Sequence, residues 1–346
     1  VSHIKINDVA KAAGVSPASV SRYFNSPELL REVTRRKIEE AINEVDYRPN
    51  MLASNLRGHK TNTIGLIMPS LMNLYYIDLY STIRNAILPK GYMVNLYTTE
   101  FDPNMLKEHL RHVSQCRYDG VIVCFLDGPD TNEVLADAQK ILPMVLITSD
   151  PENNRFDNVY VDAFDGIFQV TTHIIETGKK KLAFASGAMN SVFTKEKFNA
   201  YRTALEKAGL DFNPDHVFYG EHNHHYTGYM AMRKFLSIAD TPDAVVCATD
   251  DIAIGCMKFL LERGIKIPDD MAVSGFNGIS MLSTYSPSIT TVAQAIQAEA
   301  DSAVSMLLDR IAHPGHRKRR VVYKVTLVKG KSTTPDAPEG YMTVIV

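Results

Sequence analysis

From residue 63 onward the chain alternates between two periodicities. Short apolar runs lie at 64–68, 93–97, 120–124, 145–148, 182–186, 217–219, 244–247 and 271–275. Amphipathic stretches fill the intervals, at 76–88, 104–116, 166–177, 194–208, 227–235, 251–263 and 298–311. Runs this short and this apolar read as strands covered on both faces, and the longer amphipathic stretches as helices. Strands that alternate with helices pair in parallel and bury both sheet faces, so the expected class is α/β. Roughly 270 residues of this pattern are too many for one compact sheet, which predicts two subdomains.

The composition fits such a body. Apolar residues make up 45% of the 346, enough for sizeable cores. No apolar run approaches the ~20 residues of a membrane-spanning helix, and the first residues carry no apolar signal-peptide core. The four cysteines, Cys116, Cys124, Cys247 and Cys256, are scattered without a CxxC pair. That usage predicts reduced thiols in a cytoplasmic protein with no membrane partner.

Ligands of open α/β sheets sit beyond the carboxyl ends of the strands. The rule selects 70–73, 148–150, 186–193, 221–225, 249–251 and 276–278. These segments are rich in hydrogen-bonding groups, with Tyr75, Tyr76, Phe193 and His222 as aromatics. Asp and Asn side chains pair with vicinal hydroxyls, and an aromatic face covers a sugar ring. The blander reading stands beside it, since such loops are polar in any α/β protein.

The first sixty residues read differently. They carry ten Lys/Arg against seven Asp/Glu, whereas the remainder carries 27 against 32. A basic head on an acidic body fits a nucleic-acid-binding module. Three short helices are expected. The first runs over 7–13, with Asn7 as N-cap and Gly14 as terminator. The second opens with Ser16 as N-cap and Pro17 at its first position. The third begins at Thr34, with Ile38, Ala41, Ile42 and Val45 on one face. Two helices joined by Gly14-Val15-Ser16 and braced by a third form a helix-turn-helix. Val20 with Phe24, or with Tyr23, defines the inner face of the second helix; Pro17, Ala18, Ser21 and Arg22 face outward. Arg reads guanine through a fork of two hydrogen bonds, and small residues touch thymine methyls or phosphates. The alternative is a structural helix with a solvated Arg.

Pro49 ends the third helix, Asn50 can cap another and Gly58 can terminate it. The intervening two turns are too short to persist alone in water. Leu52 and Leu56 share one face. This is either a linker with two exposed leucines or an apolar wedge for a base step in the minor groove.

The segments IKINDVAKAAGVSPASVSRYFN, EEAINEVDYRPNMLASNLR and KTNTIGLIMPSLMN closely resemble the lactose/galactose-repressor (LacI/GalR) family, over residues 4 to about 333. The resemblance implies a helix-turn-helix DNA-binding domain (1–49), a hinge helix and linker (50–60), and a two-lobe effector and dimerisation domain like a type I periplasmic binding protein (61–346). Its N-lobe covers about 61–161 and 293–322, and its C-lobe about 162–292 and 323–346. It implies a homodimer on near-palindromic double-stranded operator DNA, with partner contacts near 76–88 and around Leu282. Positions 17, 18 and 22 meet base edges, and Leu56 wedges the central step. The implied DNA-contacting set is Asn7, Ser16, Pro17, Ala18, Ser19, Ser21, Arg22, Asn25, Tyr47, Asn50, Ala53 and Leu56. Ser54 stands where members often carry Arg, and Asn7 where they often carry Tyr or Lys.

For the effector, the resemblance and the strand-end rule together nominate Ser70, Asn73, Tyr75, Tyr76, Thr148, Phe193, Lys197, His222, Asp250 and Asn277. Asp162 falls at the lobe crossing, where a structural role is equally open. Lys197 replaces a frequent Arg, Asn277 a frequent Asp, and Ser70 another frequent Asp. A pocket with less negative charge suits a phosphorylated or carboxylated ligand, and Lys lacks the fork of Arg. The implied function is a repressor of carbohydrate-related genes controlled by a sugar or sugar phosphate. The alternative is control by a nucleobase, another metabolite or a partner protein.

Rival chemistries are weak. The tract Glu221-His222-Asn223-His224-His225 lacks HExxH spacing and has no nearby thiol. Asp250-Asp251 is accompanied by no nucleophile turn, dinucleotide fingerprint or phosphate loop, and Asp251 reads as a cap for a helix beginning at Ile252. No metal, cofactor or catalytic set is expected, and the chain is not expected to be an enzyme.

Overall fold

A computed structural model describes residues 4–47, 60–124, 129–148, 155–188 and 192–337. The chain divides into two compact units, Val1–Thr61 and Asn62–Val346. Most of the expected 50–60 hinge and linker, with Asn50, Ala53 and Leu56, lies outside the described residues, as do 149–150 and the tail from 338.

In the first unit, α1 (Ile6–Ala13), α2 (Pro17–Asn25) and α3 (Glu32–Glu44) enclose Val9, Ala10, Ala13, Val20, Ile38 and Ala41. Gly14 closes α1 in the left-handed region, φ 63°, a conformation glycine adopts without a Cβ penalty. Its amide turns back onto the last turn of α1. Three sequence expectations need correction. The N-cap of α1 is Lys5, not Asn7; the Lys5 amide donates to the Asp8 carboxylate at 2.7 Å. The third helix starts two residues earlier than Thr34. Tyr23, not Phe24, packs against the small core, and Phe24 is 38% exposed. Its ring lies edge-on to Tyr23, with centroids 5.2 Å apart.

The second unit holds two parallel sheets. The larger runs β11-β5-β4-β3-β1-β2, from β1 (Thr63–Met68), β2 (Met93–Thr98), β3 (Gly120–Cys124), β4 (Met144–Thr148), β5 (Asp157–Val161) and β11 (Arg320–Tyr323). The smaller runs β7-β6-β8-β9, from β6 (Leu182–Ser186), β7 (Val217–Tyr219), β8 (Ala244–Cys247) and β9 (Ala272–Ser274). A short antiparallel pair, β10 (Thr291–Ala293) and β12 (Thr326–Val328), accompanies them. Each parallel sheet is a lobe. The chain crosses between lobes after β5, after β10 and after β11.

The apolar runs seen in the sequence are the central strands. β3, β4, β6 and β8 are buried along their whole length, as strands covered on both faces must be. Not anticipated are the helix Pro129–Gln139 and strands β5, β10, β11 and β12. β5 mixes Asp157 and Asn158 with apolar residues, and β11 and β12 are short and half-exposed, so their periodicity is faint.

Both sheets place later strands on opposite sides of the first, at β2-β1-β3 and at β7-β6-β8. That reversal opens a crevice at the carboxyl ends of the strands. Helix packing sharpens it in the C-terminal lobe. A Cβ on Gly228 would fall on the Ile252 carbonyl, and one on Gly255 on the His225 carbonyl. Helices His225–Phe235 and Asp250–Glu262 therefore touch backbone to backbone, bringing the segments before their first turns together.

Candidate effector site and DNA-contacting face

Ser16 caps α2: its Oγ accepts from the Ser19 amide at 3.1 Å and lies 2.9 Å from the Ser19 hydroxyl. Pro17 occupies the first position, where no amide proton is required. Pro17, Ala18 and Arg22 are exposed on one side of α2, with Ser19 and Ser21 half-buried beside them. Asn7 is exposed on α1. Tyr47 is half-buried, its ring 6.1 Å from that of Phe24. Asn25 ends α2. The outward face is thus small, hydroxylated and singly cationic.

In the second unit, a cavity of about 250 Å³ opens at the carboxyl ends of the strands. Ser70, Met72, Asn73 and Tyr76 line it after β1, and Glu100 and Phe101 after β2. His222, Asn223 and His224 line it after β7. A smaller space of about 30 Å³ shares Asn73, Tyr76 and Asn223 and adds Tyr75, Phe193, Thr249, Asn277 and Gln294.

Asn73 joins the two lobes. Its Oδ1 caps helix Leu74–Ile87 by accepting from the Tyr75 amide at 3.0 Å, while its Nδ2 donates to the Asn223 carbonyl at 3.3 Å. Further bonds cross the cleft: the Leu74 amide donates to Asp251 Oδ1 at 3.4 Å, and the Ser280 amide and hydroxyl donate to the Asp78 carboxylate at 2.9 and 3.0 Å.

Glu100 and Phe101 are consecutive residues in left-handed conformation, φ 46° and 62°, which costs free energy for non-glycine residues and clusters at functional sites. The strained turn sets the Phe101 ring against that of His222, nearly parallel at 21°, with centroids 6.4 Å apart. Two stacking contacts of ~3.5 Å each span about 7 Å, so one flat ring enters between them only when the two side chains part slightly. Nδ1 of His224 and Oε1 of Gln294 are buried with no hydrogen-bond partner among the described residues. Burial, then the neighbouring His222 and His225, lower the His224 pKa and so favour its neutral form.

The charged residues expected at the site are placed elsewhere. Lys197 is 1% exposed. Its ammonium donates to the Ala248 carbonyl at 2.6 Å and sits 4.0 and 3.7 Å from the Phe193 and Phe276 ring centroids. Burial drives its pKa well down, against the opposing pull of Asp250. Lys197 lines neither cavity. Asp250 is wholly buried and accepts from the Gly278 and Ile279 amides at 2.7 and 3.0 Å and from the Thr291 hydroxyl. Burial raises its pKa to about 6 in spite of those donors. It braces the 276–279 turn. Asp251 does not cap its helix: Thr249 does, accepting from the Ile252 amide at 3.4 Å. Tyr75 reaches the smaller space but is buried, its hydroxyl donating to Glu299 at 3.3 Å. Thr148 ends β4 and lines neither space. Asp162 caps helix Ala163–Glu176, accepting from the Asp165 amide at 2.9 Å. Leu282 is fully buried, whereas Met281 beside it is 46% exposed.

The nominated Ser70, Asn73, Tyr75, Tyr76, Phe193, His222 and Asn277 thus line the two spaces; Asn223, His224 and Thr249 lie in segments that strand-end reasoning selected without nominating them, and Glu100, Phe101 and Gln294 are missed. The loop after β2 obeys the same rule as the others. Applied there, it selects Glu100 and Phe101 directly.

Comparison with known proteins agrees with this architecture. A family model for bacterial regulatory proteins of the lacI family matches residues 5–50, and one for a periplasmic binding protein-like domain matches 171–333. The HTH-type transcriptional repressor PurR of Aliivibrio salmonicida (strain LFI1238) is 30% identical over 316 residues, 91% of this chain and 94% of that one. The chain belongs to the lacI family. The PurR of Mannheimia succiniciproducens is 28% identical over 327 residues, covering 94% of this chain and 98% of that one. Among solved structures, a transcriptional regulator CelR–cellobiose complex has a TM-score of 0.70 at 26% identity, covering 95% and 99% of the two chains. A Lac repressor dimer bound to operator and the anti-inducer ONPF has a TM-score of 0.84 at 24% identity, covering 96% and 99%; at that identity it speaks for the fold.

This lacI-family chain is therefore a DNA-binding transcriptional regulator controlled by a small-molecule effector, and not an enzyme. No helix among its described residues is long and apolar enough to cross a membrane.

Proposed function

We propose that the chain is a transcriptional repressor whose effector is a planar nitrogen heterocycle of nucleobase type, held between the lobes. The carrying observation is the near-parallel pair Phe101 and His222 at the mouth of the 250 Å³ cavity. The cavity lies below the ~300–1,000 Å³ of drug-sized pockets, which suits one small ring system better than a disaccharide. Amides and imidazoles are prominent among the polar groups, Asn73, Asn223, His222 and His224 in the larger space and Asn277 and Gln294 in the smaller, beside the hydroxyls of Ser70, Tyr76 and Thr249. These present donors and acceptors in the plane of a heterocycle. Glu100 is the one carboxylate lining either space among the described residues, and no Lys or Arg lines them. A phosphate thus lacks a cation, and vicinal hydroxyls lack the paired acidic acceptors expected of a sugar site. Two of the curated relatives are repressors named PurR, which supports a repressor.

Carbohydrate remains the second reading, favoured by the cellobiose complex of a 26% identical regulator. Calorimetric titration with nucleobases, nucleosides, neutral sugars and sugar phosphates separates the two. Binding by nucleobases with stoichiometry of one per chain supports the proposal; binding by sugars alone overturns it.

On DNA, α2 is proposed to enter the major groove with Pro17, Ala18 and Arg22 at base edges, and Ser16, Ser19, Ser21, Asn25, Tyr47 and Asn7 at the backbone or flanking positions. A single such module reads few bases, so a homodimer on a near-palindromic operator follows. The 50–58 segment is proposed to enter the minor groove, with Leu56 as the wedge.

A further inference from the structure

The helix Ile296–Ala312 ends away from the cleft, in the sequence Asp309-Arg-Ile-Ala-His313-Pro-Gly-His316. Asp309 and His313 are one helical turn apart, and the chain then doubles back, the His316 amide donating to the His313 carbonyl at 3.1 Å. Both imidazoles converge on one carboxylate: Nδ1 of His313 lies 3.1 Å from Asp309 Oδ1, and Nδ1 of His316 lies 3.1 Å from Oδ2. The two rings stack at 12° with centroids 4.5 Å apart. One ligand atom from each residue falls within 4.8 Å of the others.

We propose that Asp309, His313 and His316 form an exchangeable binding site for a borderline divalent transition ion such as Zn²⁺. Ligands on a tetrahedral Zn²⁺, with bonds of ~2.0–2.2 Å, stand about 3.3–3.5 Å apart. The 3.1 Å nitrogen–oxygen distances are close to that, whereas the stacked rings must swing apart so that both Nδ1 lone pairs point at one ion. Two imidazoles and one carboxylate form a donor set suited to zinc, with a coordination position left for water.

The loop is held from below, which separates this cluster from a chance meeting of surface histidines. Arg310 is 4% exposed and pairs with the wholly buried Asp157 at 2.7 Å. The same guanidinium donates to the carbonyls of Pro314, His316 and Arg317, and the Arg319 amide donates to Asp157 at 2.9 Å. His316 is therefore presented on a backbone fixed by a buried ion pair. One group opposes the ion: Arg319 Nη2 lies 3.0 Å from Asp309 Oδ2 and must give way or share the carboxylate. Its competition, and the exposure of all three ligands, make the site exchangeable rather than permanent.

The test is titration of chelator-stripped full-length protein with ZnCl₂ by calorimetry, in the wild type and in His313→Ala, His316→Ala and Asp309→Asn. His222→Ala and His224→Ala serve as controls for the histidine tract in the cleft. The ligands lie on the surface, so folding should survive, and a thermal melt without metal checks it. One ion per chain is expected, weakened about tenfold or more in each of the three variants and unchanged in the two controls. Absence of binding, binding retained in His313→Ala and His316→Ala, or loss in the His222 and His224 variants instead would each overturn the proposal.

Discussion

The side-chain amide of Asn73 donates across the cleft to the backbone carbonyl of Asn223 at 3.3 Å, and both residues line the larger and the smaller ligand space. Asn73 also caps its own helix. One side chain thus couples helix geometry in one lobe to the ligand-lining loop of the other. Asn73→Ala should lose about 0.5–2 kcal/mol of stability from the missing cap as well as the cross-cleft bond. Asn73→Asp keeps the cap acceptor and loses only the donor. Urea denaturation should show Asp near wild type and Ala destabilised, while effector affinity falls in both.

Three buried carboxyls predict a pH signature. Burial is the first cause in each case: it raises Asp251 and Glu299 to about 7 and Asp250 to about 6. Unfolded carboxyls titrate near 4. Between about pH 4 and pH 7 the native state therefore holds more protons than the unfolded one, so stability contributed by these groups falls as pH rises. Asp251→Asn cannot ionise and should flatten that slope. Urea denaturation at pH 5, 6, 7 and 8 reads it; an unaltered slope contradicts the assignment to Asp251.

Gly228 and Gly255 have no room for a side chain because each faces a carbonyl of the opposite helix. Gly228→Ala or Gly255→Ala should cost about 3 kcal/mol, the upper end of overpacking penalties. The displaced helices also carry Thr249 and the His222–His224 loop, so effector binding should weaken together with the denaturation midpoint. A midpoint equal to wild type would show that the helices can part without cost.

Arg22 is exposed on α2, beside Pro17 and Ala18. If it reads a base, Arg22→Ala should lose about 1–3 kcal/mol of operator affinity and relax preference at one position per half-site. Binding to mutated operator duplexes at fixed salt checks this. A uniform loss across all sequences would make Arg22 a phosphate contact instead.

Much of this molecule is readable from residues alone, for identifiable reasons. Buried parallel strands are short apolar runs, and Ser16-Pro17 and Gly14 are strong helix boundaries, so the sheets and the three-helix head appear early. Strands β5, β11 and β12 do not, because Asp157, Asn158 and half-exposed edge positions blur their period. In the site, position along the chain is a poor guide to solvent access. Lys197 and Asp250 fall at plausible ligand positions, yet their polar ends are turned inward onto Ala248 and onto Gly278, Ile279 and Thr291. Phe24 shows the same limit in the head, where Tyr23, one residue away, takes the core contact.

The central claim is that a flat heterocycle seated between Phe101 and His222 controls DNA binding. Its most direct test is operator affinity, followed by fluorescence anisotropy at one salt concentration, with and without each member of a nucleobase and sugar panel. The account predicts that at least one nucleobase changes operator affinity about 5–150-fold, the range of ordinary allosteric coupling. It predicts further that the change disappears in Phe101→Ala and His222→Ala while their operator affinity without ligand stays near wild type. A shift produced only by sugars, or one that persists in both variants, would contradict it.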